Sequence, residues 1–277
     1  MAQRGSTLFA VGVQLYTVRD LLGDRTSATL ARLSEIGFEE LELFHEDVAE
    51  LAALARTHGL RTVSTHVPMT SLTSGGRVRR DEVLAMFESM RRHSLEFVGT
   101  YLPFSACRHD AAFWNETAET FSEIGNLARK TGLRFFYHNH AVELTALPDG
   151  NLPLDLLLQQ TEPGAVSLEL DVFWASAAGA DPVALLERVG SRVALLHLKD
   201  KAAGAPIIAD DTTMPRDAFA AIGEGTLAID ALLRASRALE IRHIFVEQDH
   251  ADDPLASLSR SMESIRTISA RLAQSTS

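Results

Sequence analysis

Short apolar runs and longer amphipathic segments alternate eight times along the chain, and this alternation limits the fold more than any other feature. The apolar runs span 8–16, 38–44, 60–66, 96–102, 133–140, 165–174, 192–200 and 242–249, and each reads as a strand. Between and after them lie segments 26–37, 47–59, 80–93, 110–132, 152–160, 181–189, 226–240 and 253–273, which read as helices. The first helix has a Ser/Thr start and a Gly37 stop, the second opens on Asp47 and ends on Gly59, and the sixth begins Asp181-Pro182, a strong start signal.

Strands alternating with helices imply parallel βαβ units. Eight units in 277 residues is about 35 residues each, close to the size of one such unit. The total fits the ~250 residues typical of a (β/α)8 barrel. An open doubly wound sheet would want a Gly-rich turn after the first strand. Gln14-Leu15-Tyr16-Thr17-Val18 offers none. No Pro/Ser-rich linker or charge block divides the chain. The sequence therefore predicts an α/β protein, a single-domain (β/α)8 TIM barrel over 1–277, with the barrel proper at about 8–273.

Composition removes several function classes. Lys and Arg number 26 against 37 Asp and Glu, a net charge of −11, which argues against a protein that lives on phosphate backbones. Hydrophobic residues make up 46%, too many for disorder. A single Cys rules out an internal disulfide framework. No apolar run approaches the roughly 20 residues that span a bilayer. The N-terminal MAQRGSTLFAVGVQL passes straight into polar and charged residues, as a first strand does and a signal peptide does not. A cytoplasmic location is the expectation, with neither a membrane nor a nucleic acid as partner.

In a barrel of this kind the active site lies at the C-terminal strand ends. Those ends carry Gln14 and Tyr16, Glu42 and His45, His66, Tyr101, then His138, Asn139 and His140 with Glu143 just beyond. Asp171 follows, then His197, Lys199 and Asp200, then Glu247, Gln248 and Asp249. Of ten His, six (His45, His66, His138, His140, His197 and His250) fall there. Asp171, His197 and Glu247 sit at matching heights on strands 6, 7 and 8 and read as metal ligands, with Glu143 from strand 5 as the fourth. Three carboxylates and one imidazole form an oxygen-rich set that suits Mn²⁺ or Mg²⁺ and admits Co²⁺ or Zn²⁺. The plain alternative for each residue is a solvated or ion-paired rim group.

The segments VGVQLYTVRD, YHNHAVEL, LELDVFWASAAGADPVALLERV, LLHLKD, AIGEGT and FVEQDHADDPLASLSRSMESIR resemble the sugar phosphate isomerase/epimerase family, the xylose-isomerase-like TIM barrels. The resemblance runs from about Leu8 to about Ile268. Its wider membership includes ketose 3-epimerases, hydroxypyruvate and xylose isomerases, inosose and dehydroshikimate dehydratases, and a metal-dependent abasic-site endonuclease. It implies a divalent metal that holds the vicinal hydroxy-carbonyl group of a sugar or polyol. Asp171, His197 and Glu247 match the family's ligands on strands 6, 7 and 8. Two positions depart from it. Epimerases carry a Glu at the strand-5 end where this chain has His138, so Glu143, His138 or His140 takes that place. They also carry a substrate-binding His three residues after the strand-6 Asp, where this chain has Trp174.

The chemistry that follows is proton removal beside a carbonyl, with the metal stabilising an enediolate and Glu143 and Glu247 flanking the substrate. The primary expectation is a sugar or keto-polyol isomerase/epimerase. The alternative is a lyase, a dehydratase or an enzyme that eliminates the glycoside from a 3-keto sugar. A non-catalytic sugar-binding protein and an abasic-site endonuclease rank below these. Lys199 could neutralise an enolate or act as an acid, or simply pair with Asp200. His140 and His66 could relay protons or bind hydroxyls. His138, Gln14, Tyr16, Phe173 and Trp174 are candidates for substrate contact or for packing at the barrel mouth. Residues 201–225 form a candidate lid. Within it the GEGT turn at 223–226 is either an anion cradle or an ordinary turn into a helix. Pairing of two barrels through surface helices is compatible with the pattern, which carries no apolar stripe that demands it.

Overall fold

The structure, a computed structural model, describes residues 9–44 and 47–274. His45 therefore lies outside the described residues. The eight strands are β1 (Ala10–Gln14), β2 (Glu40–Leu43), β3 (Arg61–His66), β4 (Phe97–Thr100), β5 (Arg134–His138), β6 (Val166–Asp171), β7 (Val193–Leu198) and β8 (His243–Val246). They close into one barrel in sequence order, and every neighbouring pair is parallel. The outer helices are α1 (Thr26–Ile36), α2 (Ala49–Thr57), α3 (Arg80–Arg92), α4 (Ala111–Thr131), α5 (Pro153–Gln160), α6 (Pro182–Val189), α7 (Ile229–Ala238) and α8 (Pro254–Gln274). Among the described residues no helix is long and apolar enough to cross a membrane.

Both faces of the strands are covered, and their period of two separates two cores. Outward-facing Phe135, Tyr137, Leu168, Leu170, Leu196, Leu198, Ile244 and Val246 join the layer between barrel and helices. Phe136, Leu195 and Phe245, one step out of phase on three of these strands, form a separate plug inside the barrel with Val63, Phe97 and Ala194. One further step along β5, β7 and β8 brings the same inward face to His138, His197 and Glu247. The plug thus becomes the apolar floor beneath a polar layer. Gly12 and Gly99 leave room for its rings: a Cβ at Gly12 would stand 2.4 Å from Phe245 Cδ1, and one at Gly99 would stand 2.2 Å from Phe136 Cε2.

Several strand ends need correction. The first was expected to reach Tyr16, but β1 stops at Gln14 and a 3₁₀ helix covers Leu15–Leu21. The sixth was expected to run to Trp174, but β6 stops at Asp171 and a short helix covers Val172–Ala177. Asp171 Oδ1 accepts the Trp174 N–H at 2.8 Å, so the strand-end carboxylate also caps that helix. The fifth was expected to reach His140, but β5 stops at His138.

Gly12→Ala is expected to cost about 1–3 kcal/mol of unfolding free energy in urea titration, as overpacking of a filled core does. Adding Phe245→Leu to it should recover part of that loss.

Candidate functional site

The barrel mouth opens into a cavity of about 530 Å³. Its lining includes Gln14, Tyr16, His66, His138, His140, Trp174, His197, Lys199 and Glu247. Asp171 lies fully buried beneath it.

Asp171, His197 and Glu247 offer ligand atoms that all lie within 4.8 Å of one another. His197 Nδ1 is 2.9 Å from Glu247 Oε2 and 3.8 Å from Asp171 Oδ2. Asp171 Oδ2 and His197 Nδ1 are both buried, and the groups that face them, Lys199 Nζ at 3.1 Å and Glu247 Oε2 at 2.9 Å, belong to the same cluster. Two carboxylates and an imidazole aimed at one point suit a divalent cation.

Lys199 enters the same group. Its Nζ lies 2.7 Å from Glu247 Oε2, 2.7 Å from Asp249 Oδ1 and 3.1 Å from Asp171 Oδ2, and 5.7 Å from the centre of the Trp174 ring. Burial works against its charge, but Asp171, Asp249 and Glu247 outweigh burial and hold the ammonium well above its usual pKa. Burial likewise works against the Glu247 charge, and Lys199 and His197 outweigh it, so this carboxyl stays well below its usual value. Asp171 is raised to about 6, because burial exceeds the pull of Lys199 and His197. Lys199 pairs with Asp249, not with Asp200 as its neighbour in sequence suggested.

A second layer lies deeper. His66 Nε2 is 2.7 Å from Glu169 Oε2 and 3.1 Å from Glu42 Oε1, and His138 Nδ1 is 3.0 Å from Glu169 Oε2. Gln14 Nε2 donates to Glu42 Oε1 at 2.9 Å, and Gln14 Oε1 accepts the Tyr16 N–H. Gln14 thus serves the wall more than the cavity. Burial disfavours an imidazolium at His66, but Glu42 and Glu169 lift its pKa to about 9. His138 is driven the other way, first by burial and then by the charges of His197 and His66, and stays neutral.

Sequence reasoning gave Glu42 no role and passed over Glu169. The signal was present, since Glu169 precedes Asp171 by two residues in LELD and therefore shares its face. The β ladder slips beside both carboxylates, where Val63 of β3 and Ala194 of β7 are the extra residues on the neighbouring strands.

The structure does not bring Glu143 to the cation group. Tyr137 donates its hydroxyl to Glu143 Oε1, and the His140 N–H donates to Glu143 Oε2 at 2.8 Å. Burial raises this carboxyl to about 7 against those hydrogen bonds. His140, in contrast, is held neutral by burial and by Lys199, at about 3. Its Nδ1 has no hydrogen-bond partner and lies 3.6 Å from Asp211 Oδ2. The buried Trp174 Nε1 is also unpartnered.

The candidate lid contributes Asp211, Thr212, Met214 and Phe219 to the cavity wall. Phe219 stacks on Phe173 with centroids 4.4 Å apart, which makes Phe173 a packing residue. The GEGT turn carries no anion cradle. Gly223 and Gly225 donate their N–H groups to Asp200 Oδ2 at 2.8 and 3.0 Å, and Leu227 donates to Asp200 Oδ1 at 3.1 Å. The chain's own carboxylate fills the place an anion would take.

The xylose isomerase-like TIM barrel family model matches residues 30–268. The chain belongs to this family. Among curated proteins it is similar to the inosose dehydratase of Bacillus cereus (strain AH820), 26% identical over 153 residues, which are 52% of this chain and 49% of that one. The chain spans about half the length of such relatives. Among solved structures it is similar to a sugar phosphate isomerase/epimerase from Parabacteroides distasonis, with a TM-score of 0.76, 19% identity and coverage of 92% and 97%. It is also similar to the IOLI protein solved with a zinc atom, with a TM-score of 0.70, 13% identity and coverage of 95% and 98%. At these identities the structures share the fold.

Glu143 gives a pH-dependent prediction. Its folded-state pKa lies above the usual 4.5 at about 7, so its protonated form favours the fold. That contribution is complete below about pH 4.5 and lost as the pH rises through about 7. Glu143→Gln is expected to flatten the fall in stability between these values, as read from urea midpoints across the range.

Proposed function

We propose that this family member is a divalent-metal-dependent lyase that removes a proton beside the carbonyl of a sugar or polyol ketone and expels a leaving group from the next carbon. The observation that carries this is the pairing, at 2.7 Å, of one carboxylate and one ammonium, Glu247 and Lys199, at the cation group. Epimerisation wants a proton-transfer group on each face of the substrate. Glu143, the second carboxylate expected for that role, is bound to Tyr137 and to the His140 backbone. Elimination needs one acceptor and one donor. Glu247 would accept the proton through the oxygen not paired with Lys199, and Lys199 Nζ, also held by Asp249, would donate to the departing oxygen. The similarity to inosose dehydratase supports the same class.

Asp171, His197 and Glu247 would hold the cation. When bound, it would polarise the carbonyl and spread the charge that proton loss creates. Trp174 Nε1 and His66 offer donors to substrate oxygens, and Tyr16 and Tyr101, each 40% exposed, offer ring faces at the mouth. The cavity is of a size that encloses small ligands. Isomerisation or epimerisation of the same ketone is the second reading. The neutral His140, whose unpartnered Nδ1 would serve as the second proton carrier, favours it.

The test incubates metal-supplemented protein in D₂O with a panel of inososes, ketoses and 3-keto glycosides. The proposal expects an unsaturated ketone with release of water or an alcohol. Deuterium uptake without loss of a group supports the second reading, and neither outcome with any substrate overturns both. Lys199→Met is expected to lower elimination by about 10²–10⁴-fold, the usual worth of a positioned proton donor.

A further inference from the structure

The layer beneath the mouth is itself a set of metal-ligating atoms. Four strands supply it, with His66 from β3, His138 from β5, Glu169 from β6 and His197 from β7. His66 Nε2, His138 Nδ1 and His197 Nε2 lie 2.7, 3.0 and 3.2 Å from Glu169 Oε2. The ligand atoms of these residues all fall within 4.8 Å of one another, and every one of the side chains is buried. Asp171 and Glu247 belong to the separate group above, which faces the opposite nitrogen of the His197 ring.

This layer carries more carboxylate than its hydrogen bonds use. Glu42 Oε1 faces His197 Nε2 at 2.5 Å and His66 Nε2 at 3.1 Å, but the buried Glu42 Oε2 and Glu169 Oε1 have no hydrogen-bond partner. Buried polar atoms are normally paired, so two orphaned oxygens in one cluster call for a ligand. Two buried carboxylates also need two positive charges, which is the charge of one divalent cation. Two ligand atoms on a tetrahedral zinc lie ~3.4 Å apart, so the group opens by less than ~1 Å to admit the ion. The plug closes the layer from below, with Phe136 packed on His66 at 5.2 Å between centroids and Phe245 on His197 at 6.4 Å. His66, His138 and His197 line the cavity, which gives an ion its way in.

We propose that the barrel interior holds a second divalent cation, bound by His66 Nε2, His138 Nδ1, His197 Nε2 and Glu169 Oε2, with Glu42 as a neighbouring counter-charge. This goes beyond the reading above, whose cation sits at the mouth between Asp171 and Glu247. Three imidazoles and one carboxylate suit Zn²⁺, Co²⁺ or Cu²⁺ and disfavour Mg²⁺. Four protein ligands close the coordination, as in structural zinc sites, so this ion braces the floor and takes no part in the reaction. Filling both sites makes His197 a bridge. Each of its ring nitrogens then faces a cation, and its last ring proton leaves to solvent.

The experiment loads the metal-free protein with Zn²⁺, dialyses it against a fixed free-zinc level and counts bound ions by elemental analysis. The wild type, His66→Gln, Glu169→Gln, Asp171→Asn and Glu247→Gln are compared, and circular dichroism checks that each is folded. X-ray absorption at the zinc edge counts imidazole ligands in the wild type without any substitution. The proposal expects two zinc ions per wild-type chain and one fewer in both His66→Gln and Glu169→Gln. With three imidazoles on the interior ion and one on the mouth ion, the absorption spectrum should give a mean of two per zinc. Wild-type zinc counts in both His66→Gln and Glu169→Gln, or a mean of one imidazole per zinc, overturn the proposal and leave the metal-dependent reading standing. Wild-type counts in both Asp171→Asn and Glu247→Gln overturn that reading and leave the interior ion standing. A wild type that binds no zinc overturns both.

Discussion

Two carboxylates, Glu42 and Glu169, lie fully buried inside the barrel, and the arrangement of the cavity floor follows from how their charge is met. Taking an ion out of water costs several kcal/mol unless partners compensate it. Here the partners are imidazoles. His66 reaches both carboxylates, His197 faces both, and His138 faces Glu169. Every imidazole so engaged has one ring nitrogen committed to the interior. For His138 and His197 the other nitrogen faces Asp171 at the base of the cavity. A cost borne in the barrel interior thus fixes the orientation of side chains at its mouth.

The barrel supplies this order through a single rule, the alternation of faces along each strand. Outward residues pack against helices, and inward residues pass from an apolar plug to the buried carboxylate–imidazole layer and then to the cation group. Lys199 completes that group from the end of β7, bridging Asp171, Glu247 and Asp249. Its charge brings the metal-free group closer to neutrality, which makes a folded metal-free protein physically reasonable. The chain from 201 to 225 then closes one side of the cavity with Asp211, Met214 and Phe219, and Asp200 anchors it through three backbone N–H groups.

The barrel and the convergence of Asp171, His197 and Glu247 were legible in the sequence because they obey local rules. Asp171, His197 and Glu247 each end an apolar strand, and strands 6, 7 and 8 are neighbours in any such barrel. Glu169 was not legible in the same way. It lies inside an apolar run, where a lone acid reads as an interruption, and its partners come from strands remote in sequence. Glu143 lies apart from that group for a different reason. Proximity in sequence placed it at the rim, but the turn of 3₁₀ helix at Val142–Leu144 directs its carboxylate back to Tyr137. The GEGT turn carried an ambiguity that only the position of Asp200 resolves. Trp174 was expected on a strand, since nothing in its local sequence shows that Asp171 caps a helix there.

The central claim is that the inward-facing groups of β6, β7 and β8 form a cation site. Anomalous diffraction from crystals soaked in Zn²⁺, recorded on either side of the zinc absorption edge, tests it most directly. The account predicts a strong peak within bonding distance of Asp171, His197 and Glu247, with the Lys199 ammonium displaced toward Asp249. No peak there, with Lys199 still seated among the carboxylates, would contradict it.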